Sequence, residues 1–189
     1  MTKKQWLLPI LIFIMSAQTA CANPDAPTTP APSTDNCPTA TADLKLLTNA
    51  EDGYCLLYPA DYSTDLSHYI VINRIAGPGD IPGDAWMSIY TEPAKGRTAA
   101  EIANAAMDEV RNFSLDFNLS SSEILIDGKQ AFVLDGLPGQ DSNRQVIVVG
   151  NDRLYTLMFA PWYPNVNSSI LLENLYTTIV QTLHFLSPE

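Results

Sequence analysis

Basic charge is scarce in this chain of 189 residues: ten Lys plus Arg stand against 21 Asp plus Glu, for a formal net charge of −11. An electrostatic grip on nucleic acid or on anionic lipid headgroups needs the opposite balance, so both partners are excluded. Cysteine is scarce too. Three cysteines, none in a Cys-x-x-Cys pair, rule out a disulfide-framework miniprotein, and no clustered His/Cys spacing offers zinc a site. Only His68 and His184 are available as imidazole bases. What the chain does have is apolar content, 46% against 16% charged residues, which is too much for a wholly disordered protein. The length sets an expectation of one domain.

The N-terminus reads as an export signal: Lys3 and Lys4, an apolar run from Trp6 to Met15, then the small and polar residues Ser16 to Cys21. That run is about half of the roughly 20 residues that span a bilayer, which favours a cleaved signal over a permanent transmembrane helix. Two processing routes fit. One resembles a bacterial lipoprotein signal, cut before Cys21 with acylation of the thiol, although Gln18 stands where an aliphatic residue is usual. The other uses Ala20-Cys21-Ala22 as a plain A-x-A site and releases a secreted chain beginning at Asn23. The lipoprotein route is favoured because Asn23 to Thr41 is rich in Pro, Thr, Ser and Ala, an extended spacer suited to a tethered domain. Loss of residues 1–20 removes two lysines and no acids, leaving a charge of −13. Cys37 and Cys55 remain in either case, and in an oxidising exterior they are expected to pair and staple the spacer to the first strand. The expected organisation is signal peptide 1–20, spacer 21–51 and globular domain 52–189.

Within the globular part, Gly53 to Tyr58, Tyr69 to Arg74 and Trp86 to Thr91 are rich in β-branched and aromatic residues and bounded by turn formers. The glycines and prolines of Gly77 to Asp84 make a loop. Thr98-Ala-Ala-Glu101 is a capping box opening a helix from Ala99 to about Asp116, with Ile102, Ala106, Val110, Phe113 and Phe117 as its expected apolar stripe. Glu123 to Ile126 and Gln130 to Asp135 flank Asp127-Gly128-Lys129, a tight-hairpin signal. Arg144 to Val149 and Arg153 to Ala160 flank a second short turn. Asn167 or Ser168 can cap a last helix with the face Leu171, Leu172, Leu175, Ile179 and Leu183, before a closing segment at His184 to Leu186. Hairpin connections dominate, so the expected class is α+β: a mainly antiparallel sheet flanked by two amphipathic helices, an α/β/α sandwich.

Three stretches carry a family resemblance: Gly53-Tyr54-Cys55-Leu56-Leu57-Tyr58-Pro59, Ile126-Asp127-Gly128-Lys129-Gln130-Ala131 and Arg153-Leu154-Tyr155-Thr156-Leu157-Met158-Phe159, the last preceding a final helix and a Phe. The series resembles the PsbP-like superfamily, which includes the extrinsic photosystem II protein and many bacterial exported domains. The resemblance covers about Gly53 to Leu186 and implies an antiparallel sheet between helices. It also implies roles in assembly and stabilisation, with calcium or manganese bound in some members. No metal motif of the family matches this chain, so no metal residue carries over.

Chemistry is sparse. No Gly-x-Ser-x-Gly elbow accompanies His68, and His184, among Leu183, Phe185 and Leu186, reads as a packed or surface terminal residue. Asp80 and Asp84 offer oxygens in the Gly/Pro loop without the ligand spacing of a calcium loop. Gly136 to Asp141 lacks the Lys-Ser/Thr of a phosphate loop and reads as a turn. Trp162 and Tyr163, in a proline-bounded loop, either form a platform for a partner or sugar or lid the core. Three Asn-x-Ser acceptors, at Asn112, Asn118 and Asn167, follow a bacterial-type signal and are expected to stay unmodified. The expected function is therefore an exported, lipid-anchored, non-catalytic module of the cell envelope that binds a protein partner, with no cofactor. The alternative is a small-ligand or divalent-cation-binding protein using Asp80, Asp84, Trp162 or Tyr163.

Overall fold

The computed structural model describes residue 34 and residues 36–65, 70–74, 85–113, 118–139, 141–162 and 169–187. Ten strands and two helices follow in the order β1 (Leu44–Asn49), β2 (Tyr54–Pro59), β3 (Tyr62–Asp65), β4 (Ile70–Arg74), β5 (Trp86–Pro93), α1 (Ala99–Asn112), β6 (Ser120–Ile126), β7 (Lys129–Asp135), β8 (Arg144–Gly150), β9 (Arg153–Ala160), α2 (Ser169–Thr182) and β10 (His184–Phe185). Seven strands form one antiparallel sheet in the order β3-β4-β5-β9-β8-β7-β6, and a second sheet runs β1-β2-β10. The class is α+β and mainly antiparallel, as the hairpin-rich sequence requires.

The layers follow from strand alternation. Along β5, Met87 and Ile89 face one side and Trp86, Ser88 and Tyr90 the other; along β9, Leu157 and Phe159 alternate with Thr156 and Met158 in the same sense. The first side carries the larger core. Ile70, Ile72, Met87, Ile89, Val146, Val148, Leu157 and Phe159 pack there against Leu47, Leu56 and Tyr58 of the small sheet and against Leu172, Leu175 and Ile179 of α2. One layer is therefore part sheet and part helix, because β10 pairs only with the start of β2. Beyond it α2 takes over: Thr182 Oγ1 accepts from the Leu57 amide at 3.0 Å, supplying the partner that an edge strand would otherwise lack.

On the opposite side, α1 covers Phe132, Leu134, Ile147 and Leu154. Its capping box is formed as read from the sequence, with Thr98 Oγ1 accepting from the Glu101 amide at 3.2 Å and Glu101 accepting from the Thr98 amide at 2.8 Å. The stripe is rotated from the expected one. The buried residues are Ala99, Ala103, Met107 and Val110, with Ile102 and Ala106 at the margin, whereas Phe113 is the C-cap and is 67% exposed. Small alanines let the helix lie close to the sheet, so bulk was the wrong guide. Phe117 and Asp116 lie outside the described residues.

The sheet also begins earlier than composition suggests. β1 pairs with β2 over its full length, from Leu44 opposite Pro59 to Asn49 opposite Tyr54, so the ordered domain takes in residues assigned above to the spacer. Within β1 only Leu47 is fully buried. The strand is held by its ladder and not by an apolar pattern, which is why the boundary at residue 51 is corrected to before Leu44. β3, four residues long, is likewise an addition at the edge. The Asp127-Gly128 hairpin forms as expected, with both φ angles positive at 48° and 72°.

Candidate functional site

The candidates singled out in the sequence have different fates. Cys37 and Cys55 are bonded to each other with their Cα atoms 5.8 Å apart, tying the segment before β1 to β2. Trp162 is buried, 7% exposed, and lids the core beside α2. The Arg144 guanidinium lies 3.6 Å from the centroid of its ring and 4.9 Å from that of Tyr176, while holding Asp135 through two bonds of 2.9 Å. Burial works against the charge of Arg144, but the Asp135 carboxylate outweighs it and holds the guanidinium above its ordinary pKa. A buried indole with a guanidinium over its ring offers a sugar no open surface, so the platform reading of Trp162 is corrected to the core-lid one. Tyr163, Asp80, Asp84, His68 and Cys21 lie outside the described residues.

His184 is engaged structurally. Its Nδ1 is 3.0 Å from Asp127 Oδ1, and Asp127 Oδ2 accepts from the Phe185 amide at 3.0 Å, so one carboxylate of the β6–β7 turn clasps β10. Asp52 does comparable work in the β1–β2 turn. Its carboxylate receives Arg153 at 2.6 Å and Asn49 at 2.8 Å, and its carbonyl receives the Tyr155 hydroxyl at 2.7 Å. Among the described residues no group of three or more His, Cys, Asp or Glu side chains is placed to hold a metal ion.

A cavity of about 450 Å³ opens between β1 of the small sheet and β4 and β5 of the large one. Leu47, Ile70 and Ile89 give it an apolar floor, and Glu51 and Asp52 belong to its rim. Its size is that of a small-ligand site, with a few polar groups around an apolar base. Beneath the rim, burial pushes the Tyr155 hydroxyl up to about 12. The same cause raises Tyr54 further: its Oη makes no hydrogen bond of good geometry among the described residues, although Asn49 is near enough to offset part of the effect. Sequence reasoning missed this cavity, because its walls come from β1, whose strand character was not read, and from β4 and β5.

No protein-family model matches the sequence, and no curated protein matches it either. Among solved structures, the solution structure of cyanobacterial PsbP (CyanoP) from Synechocystis sp. PCC 6803 matches with a TM-score of 0.50 at 15% identity, covering 77% of this chain and 94% of that one. The fold is PsbP-like. At that identity the likeness concerns architecture, and it agrees with the two helices and the large antiparallel sheet described above. Within this PsbP-like domain no described helix is long and apolar enough to cross a membrane.

Proposed function

We propose that the chain is an exported, non-catalytic binding or assembly module of the cell envelope, lipid-anchored at Cys21 and docking a protein partner through its PsbP-like domain. The observation that carries this reading is the Cys37–Cys55 disulfide, since a bond of this kind persists in an oxidising compartment and is rare in the cytosol. The signal-like N-terminus supports the same compartment. Support for binding over catalysis comes from the employment of the ionisable groups: Arg144 with Asp135, Arg153 with Asp52 and His184 with Asp127 hold strands together. A second reading, a small-ligand-binding protein, is supported by the 450 Å³ cavity between the sheets.

The test is expression of the full chain in a bacterium with lipoprotein processing. The expected result is recovery in the membrane fraction, an intact mass equal to the chain from Cys21 plus acyl groups, no free thiol at Cys37 or Cys55, and release from the membrane by Cys21→Ser. Chemical cross-linking at the envelope is then expected to recover one reproducible protein partner. An uncleaved cytosolic chain with free thiols refutes export. A mass beginning at Asn23 refutes the anchor alone.

A further inference from the structure

We infer that the sheet face beside α1 carries a binding site for a neutral carbohydrate, built around Trp86. The inference goes beyond the envelope-module reading and does not depend on it. The helix lies over β7 and β8, so on the same side of the sheet the strands β5 and β9 present Trp86, Ser88, Tyr90, Thr156 and Met158 beside it. A cavity of about 270 Å³ lies there, lined by Trp86, Met158, Gln145 and Asn143 and walled by Gly139 and Asp141 of the β7–β8 loop.

The cavity has an origin in the register. Trp86 stands opposite Ala160 on β9, and in the next row of the same face Ser88, Met158 and Gln145 follow one another across β5, β9 and β8. A large indole beside an alanine leaves space along its flank, which a bulkier cross-strand neighbour would fill. The loop wall is built against that space. Asn143 is 3% exposed, donates to the Asp141 carbonyl at 3.0 Å and accepts from Gln145 Nε2 at 3.2 Å. A Cβ added at Gly139 would lie 2.7 Å from Asn143 Nδ2, so the loop closes over the amide only because residue 139 has no side chain.

The chemistry selects the ligand. A pyranose ring offers one apolar C–H face and a rim of hydroxyls, each both donor and acceptor. Its complement is an aromatic surface next to amides and a carboxylate. Among the described residues Gln145 Oε1 and the Asp141 carboxylate make no hydrogen bond, so both acceptors remain for hydroxyl donors, and the amide Nε2 and Nδ2 retain a second N–H each. No Lys or Arg lines the cavity and the chain is acidic, which disfavours sulfated or uronic sugars.

The experiment titrates the purified full-length chain with chitotriose, cellotriose and maltotriose, reading tryptophan fluorescence and the thermal midpoint. The chain holds three tryptophans, and the difference between wild type and Trp86→Phe isolates the one in the cavity. Saturable change at millimolar concentration or below is expected with at least one sugar. It is expected to disappear in Trp86→Phe and to weaken about tenfold in Asp141→Ala, an exposed position whose loss leaves folding intact; tenfold corresponds to about 1.4 kcal/mol. A flat response to all three sugars overturns the inference. So does a response that survives in both variants, which would place binding elsewhere, and failure of export leaves the titration untouched.

Discussion

Breaking the Cys37–Cys55 bond is the perturbation whose size follows most directly from the structure. The bond closes a loop with a sequence separation of 18, and confining that loop in the unfolded chain is worth about 3 kcal/mol at room temperature by the chain-entropy relation. Among the described residues little native structure depends on the bond. Before β1 the backbone is held by a few local bonds, Cys37 N to Thr34 O and Thr41 N to Leu44 O, both 2.9 Å, while the ladder of β1 on β2 is independent of the bridge. The double variant Cys37→Ser, Cys55→Ala is therefore expected to keep the far-UV circular dichroism of the wild type. Its urea midpoint should fall and its m-value rise, because the uncrosslinked unfolded chain exposes more surface. At about 3 °C per kcal/mol for a domain of this size, the melting temperature should drop by about 10 °C. Cys55 is fully buried, so the alanine adds a small cavity cost, and reduced wild type serves as the control free of it. A loss below about 1 kcal/mol in both reduced wild type and the variant would refute the loop-entropy reasoning.

Three other outcomes are expected. Arg144→Leu leaves Asp135 unpaired and removes the stack on Trp162 and Tyr176. Since both charged side chains retain some exposure, the loss should be about 2 to 3 kcal/mol, below the range for fully buried pairs, and a double-mutant cycle with Asp135→Asn in urea would measure the pair term. Gly150→Ala puts a Cβ within 2.8 Å of the Phe185 ring, which is buried and cannot swing aside, so a destabilisation of about 1 to 3 kcal/mol and increased hydrogen exchange at the β10 amides should follow. Alkaline stability should fall because burial keeps Tyr155 and Tyr54 protonated in the folded chain: the contribution of Tyr155 is full below the unfolded value of 10.0 and is lost as pH rises from there through about 12, and that of Tyr54 falls over the same range and beyond it. Each tyrosine adds a slope of about 1.4 kcal/mol per pH unit in that window, and Tyr155→Phe should reduce the slope measured by urea melts at successive pH values. A slope unchanged in that variant would count against the assignment.

How far the sequence reveals this fold depends on what signal each element carries. The hairpins β6–β7 and β8–β9 are legible because Asp127-Gly128 and Asn151-Asp152 favour positive φ between runs of β-formers, and all four of these residues do have it. The capping box fixes the start of α1 for the same local reason. β1 is illegible because its ladder, and not side-chain burial, holds it. The stripe of α1 is misread because Ala99 and Ala103 are buried by closeness, a property of the partner surface that no hydrophobicity pattern records. Trp162 is ambiguous in the sequence for a related reason: the cation that covers it, Arg144, lies 18 positions away at the start of β8, and only tertiary pairing joins them.

The Trp86 cavity shows where such illegibility comes from. Its residues come from positions 86, 138, 139, 141, 143, 145, 158 and 160, and no motif spans them. Alternation puts Trp86, Ser88 and Tyr90 on one face of β5, but the same alternation is met whether that face is covered by a helix or left bare. What decides is the placement of α1, whose main contacts with the sheet are on β7 and β8. The opposite face is covered more fully, by the small sheet and α2 together, although the 450 Å³ cavity opens at its edge. The two faces of one sheet thus differ in how much of each is capped. Beside α1 an aromatic ring and two side-chain amides stand together, and the polar groups persist there because Asn143 donates to the Asp141 carbonyl at 3.0 Å and accepts from the Gln145 amide at 3.2 Å. Replacing Asn143 with leucine tests that argument: the Asp141 carbonyl and Gln145 would lose their partner, so the loop should loosen and exchange amide protons faster while the β1–β2–β10 side keeps its protection.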